Sequence, residues 1–173
     1  KPISTTLEEA EELISESIKN NLKFTIGYSQ RFNAKYAYVK KSLQENIIGE
    51  PVTCLVSRHI TRELGEKISG RTALSPAAME STHDLDFLLW CLQPRKPVKV
   101  YSQTAGKLFS KKSNTPDHQW IIVTLDDGMT ITVGGGWILP LGYPNYSHTW
   151  IEVIGTDGSC LLYTSDAADE VVR

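Results

Sequence analysis

The stretch HDLDFLLWCLQPRKPVKVYSQTAGK, His83–Lys107, contains the change of period that decides the fold. From His83 the apolar residues Leu85, Phe87, Leu88, Leu89, Cys91 and Leu92 describe a buried helix, with Ser81 or Thr82 as its cap. QPRKP stops that helix. From Val98 the repeat becomes two, and VKVYSQTAGK, HQWIIVTLDD, MTITVGGGW and HTWIEVIGTDG read as antiparallel strands. Turns at Asp127-Gly128 and Asp157-Gly158 join them.

Upstream the pattern differs. STTLEEAEELISESIKNN reads as an amphipathic helix capped by Ser4 or Thr5, with Leu7, Ala10, Leu13, Ile14 and Ile18 as its apolar stripe. KFTIGYSQRF follows as a short buried strand. A strand-end, a helix and a strand are the last βαβ unit of a parallel sheet. AKYAYVKKSLQENII is a second helix with Tyr36, Val39, Leu43 and Ile47 inward, and VTCLVSRHI is a strand. The polar stretch TRELGEKISGRTALSPAAMES is long enough for an active-site loop. The fold class expected is α+β: the tail of a Rossmann-type α/β domain, residues 1–30, then a mainly antiparallel open sheet with helices on one face, residues 31–159.

Composition narrows the function. Of 173 residues 40% are hydrophobic and 22% charged, with a formal net charge of −2. Nucleic-acid binding usually needs a basic stripe, so no such partner is expected. No apolar run approaches the ~20 residues that span a bilayer, so no membrane partner is expected either. Cys54, Cys91 and Cys160 are odd in number and widely spaced, which gives neither a disulfide framework nor zinc spacing and suggests a cytoplasmic setting. The glycines at 134–136 lack the Lys-Ser/Thr of a phosphate loop and read as a bulged or close-packed strand.

The tail CLLYTSDAADE, Cys160–Glu170, coincides with one reading frame of a transposase adapter used to build sequencing libraries. Residues 160–173 are therefore expected to be adapter read-through on a truncated gene, which would end the native sheet early and leave an edge unpaired.

Several stretches together resemble the glucose–fructose oxidoreductase, inositol dehydrogenase and rhizopine-catabolism (Gfo/Idh/MocA) family. Lys1-Pro2 is similar to the end of its Glu-Lys-Pro motif, and TIGYSQRFNAKYAYVKK to the segment leading into its second domain. GEP, HDLDFLLW and IEVIGTDGS follow in the family's order. The resemblance implies a two-domain dehydrogenase using NAD or NADP on a small-molecule substrate, a sugar, polyol or related hydroxy compound. It also implies a homo-oligomer built through the open sheet. The glycine-rich dinucleotide loop is absent from this sequence, so the fragment alone is expected to be inactive.

Alcohol oxidation needs a base near neutral pKa while a hydride leaves carbon. His83 suits the base, and the resemblance aligns it with the family's catalytic histidine. Lys1 aligns with the motif lysine between nicotinamide and substrate hydroxyl, where a cation favours developing alkoxide. The family's aspartate four residues before the histidine is Met79 here, and Glu80 is the candidate to replace it. Catalytic candidates are thus His83, Lys1 and Glu80. Cofactor contacts are expected from Lys1, Pro2 and Arg31, the last either there or pinning the two domains. Substrate contacts are expected from Tyr28, Arg58 and Trp137, with ordinary structural roles as the alternative.

Asp84 and Asp86 read as helix-dipole partners in the first turn, Asp86 with a family-typical internal hydrogen bond. His118 and His148 read as strand-end surface residues, and no metal is expected. Rival readings are a non-catalytic binding protein of the same architecture and a reductase of a non-sugar substrate.

Overall fold

Thr6 caps the first helix, α1 (Leu7–Lys19), by accepting a hydrogen bond from the Glu9 amide, and Glu8 and Glu9 occupy its positive end. The computed structural model describes residues 1–68, 74–113, 115–163 and 170–172. Of the α1 stripe only Ala10 is buried, while Leu7 and Ile18 are 69% and 74% exposed. The expected strand over Lys23–Phe32 is not formed. The chain there is irregular and closes into a 3₁₀ turn, Ser29–Phe32. A strand needs a neighbour for its backbone, and no strand of the described residues lies beside this segment.

From Asn33, which caps α2 (Ala34–Gln44) by accepting from the Lys35 amide, the chain builds one layered unit. β1 (Pro51–Thr61) leads to α3 (Arg62–Ile68), then a π-turn (Ala77–Ser81) running straight into α4 (Thr82–Cys91). β2 (Pro97–Ala105), the short α5 (Ser110–Ser113), β3 (His118–Leu125), β4 (Thr130–Leu139), β5 (Ser147–Gly155), β6 (Ser159–Tyr163) and β7 (Glu170–Val172) follow. The sheet order is β2-β3-β4-β1-β5-β6-β7. Every pairing is antiparallel except β1 with β4 at the centre. The predicted Asp127-Gly128 turn is present, with Gly128 at φ +91.

Tyr36 and Val39 of α2 and Phe87, Leu88 and Leu92 of α4 pack on Cys54, Val56, Ile131, Val133, Ile151 and Val153 of the sheet. The helices therefore cover one face, as the α+β reading expects. Trp120, Ile122 and Trp150 alternate with the core residues and face the other side.

Three local expectations change. Ser81 and Thr82 do not cap α4, because the backbone at Ser81 is already helical and its side chain makes no cap bond. The π-turn supplies the preceding carbonyls instead. Part of the expected active-site loop is α3, and residues 69–73 lie outside the described residues. Finally, the sheet does not stop near residue 159: Ser159–Tyr163 pairs along β5 with Cys160 and Leu162 inward. An uncovered edge pairs with an alternating apolar segment that follows it.

Candidate active site

The start of α4 is held by two carboxylates, each paired with an arginine. Asp84, fully buried, receives Arg58 Nε on Oδ2 at 2.7 Å and the Arg58 terminal nitrogen on Oδ1 at 2.6 Å. Tyr36 Oη donates to Asp84 Oδ1 at 2.9 Å and accepts from the same guanidinium at 2.6 Å. Burial would pull the Arg58 pKa down, but Asp84 more than offsets that and holds it above its ordinary value. Burial and the Asp84 charge push the Tyr36 phenol up. Asp86 takes a bidentate pair from Arg31 at 2.7 and 2.5 Å, tying the 3₁₀ turn to α4. The Arg31 guanidinium also lies over the Trp90 ring, 5.2 Å from its centroid.

On the rim above this buried frame stands His83. Lys1 Nζ approaches its Nδ1 at 3.4 Å, across 82 positions of sequence. The Tyr28 ring meets His83 edge-on at 6.2 Å between centroids, and Tyr28 Oη bonds Thr82 Oγ1 at 3.0 Å. Partial burial lowers the His83 pKa, and the charges of Lys1 and Arg58 lower it further. The neutral form of the imidazole is therefore favoured.

Glu80 arrives from the π-turn. Met79 turns into an apolar cluster with Ile60, Phe109 and Trp137, and Glu80 Oε1 accepts the Trp137 indole N–H at 3.2 Å. Burial raises the Glu80 pKa, while that hydrogen bond and the charges of Arg58 and Lys1 counteract the rise. The glycine run on β4 permits this seating. A Cβ at Gly135 would collide with Ser81 Oγ, and one at Gly134 with the Trp120 ring, as the close-packed reading expects.

The structure thus brings Lys1, His83 and Tyr28 together, with Glu80 within reach of the Lys1 charge. Two expected substrate contacts lie elsewhere. Arg58 is committed to Asp84 and Tyr36 beneath the site. Trp137 is 1% exposed and walls no open pocket. Arg31 spends its guanidinium on Asp86, which ties the 3₁₀ turn to α4 and leaves neither of its bonded nitrogens turned to a cofactor. Asp84 is more than a dipole partner: it is the buried half of an ion pair, missed because Arg58 and Tyr36 lie 26 and 48 positions away. His118 is half-buried and stacks on His59 at 5.1 Å. Among the described residues no group of three or more His, Cys, Asp or Glu side chains is placed to hold a metal, and no helix is long and apolar enough to cross a membrane.

Residues 36–161 match the GFO/IDH/MocA C-terminal domain. The chain belongs to the GFO/IDH/MocA family.

Its relatives agree. Over 163 residues it is 24% identical to inositol 2-dehydrogenase/D-chiro-inositol 3-dehydrogenase of Lacticaseibacillus casei, covering 94% of this chain and 45% of that one. Inositol 2-dehydrogenase 2 of Paenarthrobacter aurescens is 27% identical, with 95% and 48% covered. Among solved structures, myo-inositol 2-dehydrogenase from Lactobacillus plantarum superposes with a TM-score of 0.80 at 20% identity, covering 100% of this chain and 54% of that one. The WlbA dehydrogenase from Bordetella pertussis, in complex with NADH and UDP-GlcNAcA, gives 0.81 at 18%, covering 99% and 52%. This family chain spans about half the length of the relatives it matches.

Proposed function

We propose that this family member is the substrate-domain portion of an NAD- or NADP-dependent oxidoreductase acting on a sugar, polyol or related hydroxy compound. One observation carries the reading: Lys1 Nζ and His83 Nδ1, 82 positions apart in sequence, meet at 3.4 Å beside the mouth of α4. The names of the relatives, inositol dehydrogenases, support the polyol class. A related structure holds NAD(H) and scyllo-inositol together.

The residues suit the group. Lys1 is exposed and Pro2 half-buried at the rim, and the uncovered α1 stripe is a face that a neighbouring domain would bury. The nicotinamide, when bound, accepts the hydride leaving the carbinol carbon. The protein handles the proton. A hydroxyl oxygen entering between Lys1 and His83 accepts from Nζ and releases its proton to Nδ1, so the developing negative charge meets an ammonium as it forms. Glu80 offers a second acceptor for a neighbouring hydroxyl. Tyr28 packs against the imidazole and fixes its plane, and the Arg58–Asp84–Tyr36 frame keeps the helix mouth from shifting.

The free cysteines support a reducing, cytoplasmic setting. The sheet face bearing Trp120, Ile122 and Trp150 supports homo-oligomer formation there. Residues 1–30 and 31–159 divide between the two domains, and 160–173 are adapter-derived.

The test is to express the complete gene product and assay it with NAD⁺ and NADP⁺ on inositols, hexoses and uronates. Turnover on one of these classes is expected. Nicotinamide-dependent turnover confined to imines or other non-hydroxy substrates overturns the substrate class. Absence of dinucleotide binding overturns the reading.

A further inference from the structure

We propose that Trp137 is a positioning residue: its indole N–H holds one oxygen of Glu80 so that the other is presented at the Lys1–His83 rim to a substrate hydroxyl. The role given to the presented oxygen rests on the dehydrogenase reading; the clamp itself does not. The indole is fixed on several sides. Ile60 and Phe109 pack with it, and α3 crosses it at Gly65, where a Cβ would collide with Trp137 Cβ and the Phe109 ring. A side chain so enclosed cannot serve as a substrate wall, but it is a rigid donor. Its one polar atom reaches Glu80 Oε1 at 3.2 Å. Glu80 Oε2 has no hydrogen-bond partner among the described residues.

The backbone explains why position 80 carries the carboxylate. In the π-turn Ala77–Ser81 an added residue rotates the side chains relative to an α-helical turn. Met79 enters the apolar cluster against Trp137, and Glu80 is left half-buried beside the indole. Burial and the Asp84 charge raise the Glu80 pKa, while the Trp137 bond and the charges of Arg58 and Lys1 favour the ionised form. Arg58 is already paired with Asp84 at 2.6 Å, while Lys1 is the rim cation that meets His83. In its ionised form the carboxylate accepts twice: once from the indole, once from an incoming hydroxyl, a donor that polyols supply.

The test uses this 173-residue chain, with no cofactor. The Trp137 indole N–H and the Glu80 carboxyl carbon are followed by NMR between about pH 3 and 8. Both are expected to move with one shared midpoint, and E80Q is expected to remove the pH response of the indole. W137F is expected to shift the Glu80 midpoint upward, because the bond it deletes stabilises the ionised carboxylate. An indole N–H that stays still while Glu80 titrates overturns the clamp, as does a folded W137F with an unmoved Glu80 midpoint. Should W137F fail to fold, the wild-type and E80Q titrations decide alone. In the complete gene product E80Q is expected to raise KM for the polyol more than it lowers kcat. An unchanged KM overturns the hydroxyl contact while leaving the clamp in place, and a complete product without turnover on any polyol fails the dehydrogenase reading instead.

Discussion

Arg58 on β1 and Asp84 on α4 form a two-pronged ion pair at 2.7 and 2.6 Å, with Asp84 sealed from solvent. The pair joins the central strand to the helix whose mouth carries His83. Removing one partner strands the other charge in the interior. D84A or R58A should therefore cost about 3–5 kcal/mol, read as a lower urea midpoint. A loss below about 1 kcal/mol would mean that the pair is solvated and frames nothing.

Ser81 and Gly135 supply a test of the close seating of the π-turn. A methyl at 135 meets Ser81 Oγ, and that hydroxyl is buried without a hydrogen-bond partner among the described residues. G135A should destabilise by about 1–3 kcal/mol. Adding S81A should restore part of the loss, since contacting sites are not additive. Strict additivity in the double variant would count against the contact.

His59 predicts a pH dependence. Burial, with His118 and His148 nearby, pushes it down to about 4, below the ordinary value near 6.5. Between those values the unfolded chain binds more protons than the native one, so this contribution is complete above about pH 6.5 and declines as pH falls towards 4. Glu80 has the opposite sign, because its raised native pKa stabilises at low pH and that gain is lost as pH rises through the native value. Urea midpoints of the wild type should fall more steeply from pH 6.5 to 4.5 than those of H59Q. Parallel curves would show that His59 does not set this pH dependence.

The tail predicts a result at the level of the gene. The genomic locus should encode a different peptide after about Ser159, one that supplies its own strand beside β5. Recovery of the CLLYTSDAADE codons from genomic DNA would make β6 native.

How much of this was legible follows from the range of each interaction. The period change at Val98, the Asp-Gly turns and the inward residues Tyr36 and Val39 of α2 and Phe87, Leu88 and Leu92 of α4 are local patterns that read directly. By contrast, α2 stops at Gln44, and Ile48, not Ile47, enters the core. The family motifs pointed to Lys1 and His83, 82 positions apart, while Glu80 was read beside His83 as the candidate for the missing aspartate. Arg58–Asp84–Tyr36 and Trp137–Glu80 have no local signature, because each depends on which strand lies under α4. The central β1–β4 pairing is parallel across a long connection, and hairpin signals speak only for neighbours. The Lys23–Phe32 strand failed for a related reason: an apolar run specifies a strand only where a sheet receives it. The π-turn Ala77–Ser81, which sends Met79 into the apolar cluster and Glu80 to the Trp137 indole, is a backbone feature that residue spacing does not encode.

The measurement that bears most directly on the central claim is turnover and dinucleotide affinity of the complete gene product carrying H83N. In H83N kcat is expected to fall by about 10²–10⁴-fold while the dissociation constant of the dinucleotide stays unchanged. Undiminished kcat in H83N would contradict it, and His83 would then be only a residue packed at a helix mouth.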